Sequence, residues 1–202
     1  MTRFIALLRG VNVGGHRPVP MAKLRALCTE LGFEQVTTYI QSGNVVFSAT
    51  GPTRAVEAAL EQAMAPHFGF PVDVLVRTVE EWRTYLAGNP FPEPTAAQPN
   101  RVMLLLAKRT PEPGAVEALR QRAGSGERVE ASGVAIWIHY PLGAGNSKLS
   151  PSLLDRLVGS PVTARNVRTV QVLADLYPRA VGANRAGPLP PGSYSTKSMP
   201  SL

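Results

Sequence analysis

Two kinds of hydrophobic pattern alternate along the first 78 residues. Four short runs rich in β-branched or aromatic residues have the length and composition of strands, and two longer stretches repeat apolar positions every three or four residues, as amphipathic helices do. Pro20 and Gly32 bound the first helix, and Thr53 is the expected cap of the second. The strand-like runs are "FIALL", "EQVTTYI", "NVVFSA" and "VDVLVRT", and the helical faces are Met21, Leu24, Leu27, Cys28 and Leu31, then Val56, Leu60, Ala63 and Met64.

The order strand, helix, strand, strand, helix, strand predicts a split β-α-β, or ferredoxin-like, subdomain over residues 1–78. Such a unit is an antiparallel sheet with two helices on one face. The second half repeats the order without obvious sequence similarity, so residues 101–177 are predicted to form a second ferredoxin-like subdomain with C-terminal helices. The fold class is therefore α+β. Its expected elements are "RVMLLLAK", a helix from about 111 to 122, "RVEAS", "VAIWIHY", a helix from Ser150 and Pro151 to Gly159, and a last helix from about Asn166 to Tyr177.

The segments outside these two units have a different composition. Residues 79–100 are predicted to hold a connecting helix, because Thr78 and Glu81 have the spacing of a capping box, followed by a linker. The linker "NPFPEPTAAQPN" carries four prolines in twelve residues and is expected to form neither helix nor strand. Residues 178–202 contain five prolines and three glycines and are predicted to be a disordered basic tail.

Composition narrows the class of protein. Hydrophobic residues make up 44% of the 202 positions and charged residues 17%, which is typical of a soluble globular chain. The apolar runs fall short of the roughly 20 residues that a membrane helix needs. No secretory signal is recognised at the N-terminus, so the expected location is the cytoplasm. A single cysteine, Cys28, excludes an intramolecular disulfide, and its place on an apolar helix face predicts a buried thiol.

The glycine-rich stretch "LLRGVNVGG" after the first strand has two interpretations. Its glycines keep the spacing of a phosphate loop, but His16 and Arg17 replace the lysine and the hydroxyl, so a nucleoside triphosphatase is rejected. The spacing does not match a dinucleotide-binding turn either. What remains is either a tight turn or an anion site built from main-chain N–H groups and polar side chains. Its candidate ligand-binding residues are Arg9, Asn12, Gly14 and Gly15.

Two further polar turns are candidates for the same chemistry. "QSGN" joins the second and third predicted strands, and the ferredoxin-like topology places this turn at the same end of the sheet as the glycine loop. "NSKL" precedes a helix N-terminus, where N–H groups, a hydroxyl and a cation favour an anion. A structural role as turns and caps explains part of both sequences equally well. The candidates are Gln41, Ser42 and Asn44 in the first turn, and Asn146, Ser147 and Lys148 in the second.

No catalytic or cofactor motif is recognised. His16, His67 and His139 lack metal-ligand spacing, no nucleophile elbow occurs, and no carboxylate pair lies in an apolar setting. No metal or cofactor is expected, and the question of enzymatic activity stays open.

Charge supplies the alternative to a small anionic ligand. Residues 1–99 hold eight Lys and Arg against eight Asp and Glu, whereas residues 100–202 hold 13 against six, so the net charge of +7 lies in the second half. Weak, sequence-independent nucleic-acid binding through that half is one alternative, and a ligand-free scaffold is another. Base stacking is poorly supported because few aromatic residues fall on the predicted central strands.

The motifs "ALLRGVNVGG", "YIQSGNVVF", "NPF", "SKL" and "TARN", in this order and at these separations, resemble the bacterial family of proteins of unknown function numbered 1697. The resemblance covers about residues 3–177. It implies two ferredoxin-like subdomains in one chain and no established activity. Arg165 and Asn166 of "TARN" join the candidate ligand-binding residues.

Overall fold

The computed structural model describes residues 1–176, and its first subdomain is the predicted split β-α-β unit. The four strands form an antiparallel sheet in the order β2-β3-β1-β4. The cap of α2 differs from expectation, since Pro52 occupies that position and the Thr53 side chain makes no capping hydrogen bond. The elements are β1 (Thr2–Leu8), α1 (Met21–Glu30), β2 (Glu34–Tyr39), β3 (Asn44–Ala49), α2 (Thr53–Phe68) and β4 (Val74–Thr78).

The connector contains more helix than predicted. The capping box forms as expected, with Thr78 as the cap of α3 (Val79–Ala87). The proline-rich linker, however, holds a helix, α4 (Pro92–Ala97), followed by a turn of 3₁₀ helix. The prediction was wrong because prolines in a first helical turn remove only N–H groups that have no intrahelical partner.

The second subdomain also has four antiparallel strands, in the order β6-β7-β5-β8. The "VTARN" strand was not predicted, and Asn166 caps the last helix instead of belonging to it. The helix expected from about residue 111 begins at Ala115, after Gly114 in a left-handed conformation. The elements are β5 (Val102–Ala107), α5 (Ala115–Arg122), β6 (Arg128–Ser132), β7 (Ala135–His139), α6 (Pro151–Val158), β8 (Val162–Asn166) and α7 (Val167–Asp175).

Tyr177 and the predicted tail lie outside the described residues. Within residues 1–176, no helix has both the length and the apolar character required to cross a bilayer.

Apolar side chains form three layers of core. Helices α1 and α2 cover the outer face of the first sheet, and α5 and α6 cover the outer face of the second. The inner faces of both sheets share one central cluster with α3 and α7, which includes Trp82 and Trp137. Both sheets are therefore buried on both faces, and this explains why their central strands are almost continuously apolar.

This arrangement removes the sheet surface that RNA recognition modules use. Those modules stack bases on aromatic side chains exposed on a sheet. Here Phe47 on β3 and Trp137 on β7 are both fully buried. These two aromatic side chains thus belong to the core and are not available for base stacking.

The first and last strands of the two subdomains pair in the same register. Ile5 of β1 pairs with Arg77 of β4, and Leu104 of β5 pairs with Arg165 of β8. The residue after each arginine caps the helix that follows: Thr78 caps α3, and Asn166 caps α7. Arg77 and Arg165 therefore occupy equivalent positions in the two halves.

The buried thiol provides a first test of the fold. Cys28 has no exposed surface, and burial raises the pKa of its thiol to about 12. Because the thiolate is the reactive form, we expect Cys28 of the native protein to resist a disulfide reagent such as dithionitrobenzoate and to react fully in guanidinium chloride. Rapid native labelling, measured by absorbance, would show that α1 opens readily.

Candidate functional site

The two glycines at the tip of the first loop form a hairpin turn. Gly14 and Gly15 have φ values of 57° and 79°, and the flanking residues Val13 and His16 make an isolated antiparallel bridge. Two consecutive residues with positive φ are what a tight two-residue turn of this type requires. The glycine pair is thereby explained by backbone conformation, and both residues are exposed.

Asn12 joins the glycine loop to the "QSGN" turn, so the two segments lie side by side as the topology predicts. Its Oδ1 accepts from the Val19 N–H at 2.8 Å, and its Nδ2 donates to the carbonyls of Val19 at 3.0 Å and Gln41 at 2.7 Å. Leu8 N–H also donates to the Gly43 carbonyl at 2.8 Å. These bonds use the polar atoms of Asn12 within the chain.

Arg165 reaches this junction from the second subdomain. Its Nε donates to Asn44 Oδ1 at 2.6 Å, and its Nη2 donates to the carbonyls of Leu8 at 3.1 Å and Ser42 at 2.9 Å. Its Nη1 donates to Thr163 Oγ1 and to the Ala164 carbonyl. Burial lowers the pKa of Arg165 to about 10, so the side chain is still a cation at neutral pH. All its acceptors are uncharged, and Arg165 works as a clamp between the subdomains.

Asn44 completes this clamp from the first subdomain. The residue is fully buried, and its Nδ2 donates to the Tyr39 carbonyl at 3.1 Å and to Ser42 Oγ at 2.8 Å. Its Oδ1 faces Arg165. Both polar side-chain atoms of Asn44 therefore have partners within the protein. Gln41, in contrast, is exposed at the surface of the turn.

Arg9 makes a second contact between the subdomains. Its guanidinium pairs with Asp155 of α6, approaches Asp73 at 3.5 Å, and donates from Nε to the Val162 carbonyl at 3.0 Å. Asp155 also accepts from the Val162 N–H at 2.8 Å, so it closes part of the open edge of β8. Two carboxylates already neutralise the side chain that was predicted to attract an anion.

Lys108 makes the reciprocal contact. It follows β5 as Arg9 follows β1, and it pairs with Glu57 and Glu61 of α2. Those two glutamates accept from the N–H groups of Val76 at 3.0 Å and Val74 at 2.9 Å, which closes the open edge of β4. Each subdomain thus protects an edge strand with an acidic side chain, and a cation of the other subdomain neutralises it.

The "NSKL" loop lies elsewhere, and its asparagine and serine side chains also have internal partners. Asn146 donates to the Leu142 carbonyl at 2.8 Å. Ser147 Oγ and the Ser125 N–H both donate to Glu127. Burial raises the pKa of Glu127, but these hydrogen bonds outweigh it and hold the pKa below its usual range. A carboxylate of the chain therefore takes the place that an external anion would occupy. Lys148 is exposed, and Asn166 Oδ1 accepts from Thr169 N–H at 2.9 Å as the cap of α7.

The structure contains a cleft that the sequence analysis did not predict. Its volume is about 850 Å³, and it opens between α2, β4 and α3 on one side and the segment after β5 on the other. The residues that line it include Thr53, Arg54, Glu57, Arg77, Glu81, Tyr85, Lys108, Arg109, Glu112 and Val134.

Two glutamates in this cleft have partners, whereas three of its arginines form no ion pair within the described residues. Glu81 accepts from the backbone N–H of Thr78 at 2.7 Å, and Glu57 is engaged by Val76 and Lys108. Burial raises the pKa of Glu57, although the Val76 N–H and the Lys108 cation oppose this shift. In contrast, within residues 1–176, Arg54, Arg77 and Arg109 form no ion pair. Three guanidinium groups in one cleft thus lack a carboxylate partner.

Arg77 and Tyr85 form the inner wall of the cleft. Arg77 donates from Nη1 to the Val76 carbonyl at 2.7 Å and from Nη2 to the Ala107 carbonyl at 2.6 Å. The Arg77 side chain also makes a hydrogen bond with the Tyr85 hydroxyl. Burial raises the pKa of the Tyr85 hydroxyl, partly offset by the adjacent Arg77. A signal for this site existed in the sequence, because "VLVRT" and "VTARN" both place an arginine before a helix cap, but it required recognition of β8.

The fold and these reciprocal contacts define a class of protein with two split β-α-β subdomains joined across a common core. The chain belongs to the family described as "Protein of unknown function (DUF1697)", whose model matches residues 1–137, so the resemblance inferred from the motifs is confirmed.

A solved structure is similar to this chain over most of its length. It is the conserved bacterial protein SP0830 from Streptococcus pneumoniae, at 26% identity and a TM-score of 0.69, and the match covers 87% of this chain and 98% of that one. None of the curated proteins matches the chain.

Proposed function

We propose that this protein binds a small anionic ligand, and that it does so in the cleft between the subdomains. The observation that carries the proposal is the set of three arginines, Arg54, Arg77 and Arg109, that line the cleft without an ion-pair partner among the described residues. Cationic side chains gathered in a concave site raise the local concentration of anions. Guanidinium groups also match the geometry of carboxylate and phosphate groups.

The N-terminus of α2 adds to the electrostatic field of the cleft. Thr53 is the first residue of this 16-residue helix and lines the cleft, and the helix has no side-chain cap. The uncapped N–H groups and the positive end of the helix dipole both favour an anion. This end of the cleft thus complements the arginines.

The turns marked by the motifs are weaker candidates for the same ligand. Arg9 is neutralised by Asp155 and Asp73, and the polar atoms of Asn12 and Asn44 are used inside the protein. An anion there would have to displace existing ion pairs or hydrogen bonds. An anion in the cleft would meet Arg77 and Arg109, whose hydrogen-bond partners among the described residues are uncharged.

Anion binding can be tested with citrate and inorganic phosphate at constant ionic strength. A ligand that binds only the folded state stabilises it by about 2.7 kcal/mol at a hundredfold excess over Kd. For a chain of this size we expect the thermal midpoint to rise by roughly 5 to 10 °C. Isothermal titration calorimetry then gives the Kd for each anion.

Two variants assign the binding to the cleft. We expect Arg54→Gln and Arg109→Gln each to raise the Kd about fivefold, which corresponds to about 1 kcal/mol for an exposed charged contact. The matched control is Arg122→Gln on α5, which removes the same charge from an exposed residue outside the cleft. The proposal is wrong if neither anion stabilises the protein more than chloride does, or if the control weakens binding as much as the cleft variants.

A further inference from the structure

Arg77 and Arg165 make the same pair of hydrogen bonds in the two halves of the molecule. Each donates from Nη1 to the carbonyl of the preceding residue, Val76 or Ala164. Each also donates from Nη2 across the interface to the last carbonyl of the other subdomain's first strand, Ala107 or Leu8. The two guanidinium groups therefore have the same placement, and their remaining contacts can be compared directly.

The remaining contacts differ because the two hairpin turns differ. In the first subdomain four residues, 40–43, connect β2 to β3, and this turn brings the Ser42 carbonyl and Asn44 Oδ1 onto Arg165. In the second subdomain only Gly133 and Val134 connect β6 to β7.

The residue at the position of Asn44 is also different. Asn44 pairs with Leu7 on β1, and the register of β7 with β5 puts Ala135 at the equivalent place. An alanine has no acceptor to offer. Arg77 thus lacks both oxygens that close over Arg165, and the cleft occupies the space in front of it.

A third difference places a polar group beside Arg77. Tyr85 of α3 lies eight residues after Arg77, and Leu173 of α7 lies eight residues after Arg165. Tyr85 lines the cleft and its hydroxyl makes a hydrogen bond with Arg77, whereas Leu173 is fully buried in the central core. The site around Arg77 therefore has an additional hydrogen-bonding group that the site around Arg165 lacks.

We infer that the Arg77 site is the open counterpart of the Arg165 clamp, and that a carboxylate of the ligand takes the place of the Asn44 and Ser42 oxygens. This inference rests on the proposed function and narrows it to a carboxylate-bearing ligand. The two carboxylate oxygens accept from Nε and Nη2 of Arg77, and the Tyr85 hydroxyl donates to one of them.

The geometry of the donors favours a carboxylate. The closed site presents two oxygens to one edge of a guanidinium group, at 2.6 and 2.9 Å. A carboxylate offers two oxygens in one plane and forms parallel hydrogen bonds with such an edge. Arg54 and Arg109, nearer the mouth of the cleft and exposed, are then available for a second anionic group, which makes a di- or tricarboxylate the best probe.

The variant Arg77→Lys in the full chain distinguishes the effect of the two parallel hydrogen bonds from the effect of the positive charge. Lysine keeps the positive charge but cannot form two parallel bonds. We expect the Kd for citrate to rise at least tenfold, because citrate loses the paired hydrogen bonds to Arg77. Inorganic phosphate has no carboxylate to place at Arg77 and binds the exposed Arg54 and Arg109, so its Kd should change by less than about threefold. A change that is equal for the two anions, or no change for citrate, would overturn the inference.

The Nε–H signals of the two arginines provide a direct readout by NMR. The signal lost in Arg77→Lys identifies Arg77, and the hydrogen-bonded Nε–H of Arg165 serves as an internal control. On addition of citrate we expect the Arg77 signal to shift and to exchange more slowly with water, and the Arg165 signal to stay in place. An unmoved Arg77 signal at saturating citrate would contradict the assignment.

Ala135→Asn installs the acceptor that the open site lacks. We expect its amide oxygen to reach Arg77 Nε, to shift the Nε–H signal without ligand, and to abolish citrate binding. Ala135→Ser is the control, since the serine hydroxyl is too short to reach Arg77.

If Ala135→Asn does not fold, Arg77→Lys and the Nε–H signals decide the question. Should wild-type protein bind neither citrate nor phosphate, the proposed function itself fails; should it bind both with Arg77 uninvolved, only the present inference fails.

Discussion

Replacing Arg165 with methionine is expected to lower the free energy of unfolding by about 3 to 5 kcal/mol, one of the largest effects of any single substitution in this chain. Methionine keeps much of the volume but none of the five N–H donors. The Leu8 and Ser42 carbonyls and Asn44 Oδ1 then lose their partner at the interface. Each buried acceptor left without a hydrogen bond costs about 1 to 3 kcal/mol.

A second effect acts in the opposite direction. Arg165 is a buried cation with only neutral acceptors, so its removal also relieves a desolvation cost. The loss of hydrogen bonds prevails because three of the five acceptors belong to the first subdomain. Methionine leaves these three oxygens without the donor that Arg165 supplies. For a chain of this length the predicted loss corresponds to a thermal midpoint lower by roughly 10 °C.

Arg77→Met is the matched control for this prediction. Arg77 occupies the equivalent position but makes only one hydrogen bond across the interface, to the Ala107 carbonyl. We therefore expect it to cost about 1 to 2 kcal/mol, measured by urea denaturation in parallel with Arg165→Met. Equal losses at the two arginines would mean that the "QSGN" turn does not contribute to the clamp.

The sequence was sufficient to predict most of the fold. The first sheet and its helices follow from apolar periodicity, because each strand and helix buries a face that is visible in a short window. β8 escaped prediction for a physical reason. "VTARN" has few apolar residues, and the polar side chain of Arg165 faces the interior only because the other subdomain supplies acceptors.

The candidate site, in contrast, could not be predicted from local sequence patterns. The motifs directed attention to Arg9, Asn12 and Asn44 because polar residues beside glycines are typical of ligand-binding loops. Their partners include Asp155 and Arg165, which lie more than 120 residues away along the chain. No local pattern can distinguish a donor available to a ligand from one already bound by a distant residue. The one signal for the cleft, an arginine before a helix cap in "VLVRT" and "VTARN", required recognition of β8 as a strand.

Gly43→Ala is the second substitution for which we expect a large loss of stability, about 2 to 5 kcal/mol. Gly43 has a φ of 71°, which costs an alanine about 1 to 2 kcal/mol. A Cβ atom at this position would also lie 2.7 Å from both Leu8 Cβ and Val11 Cγ2. Carbon atoms prefer separations of about 3.5 to 4.0 Å, so the turn must move away from β1, and such overpacking costs about 1 to 3 kcal/mol.

Gly15→Ala isolates the conformational part of that cost. Gly15 has a similar φ of 79°, but no atom lies within 4 Å of a Cβ built on it. We therefore expect Gly15→Ala to cost only about 1 to 2 kcal/mol in the same denaturation experiment, and equal losses for the two variants would contradict the close packing at Gly43.

The packing at Gly43 is also coupled to the clamp, because its neighbours Ser42 and Asn44 both accept from Arg165. A turn displaced by Gly43→Ala takes these oxygens away from the guanidinium group. The double variant Gly43→Ala, Arg165→Met should then lose less stability than the sum of the single variants, by about 1 kcal/mol or more. Strict additivity would show that the turn and the arginine stabilise the protein independently.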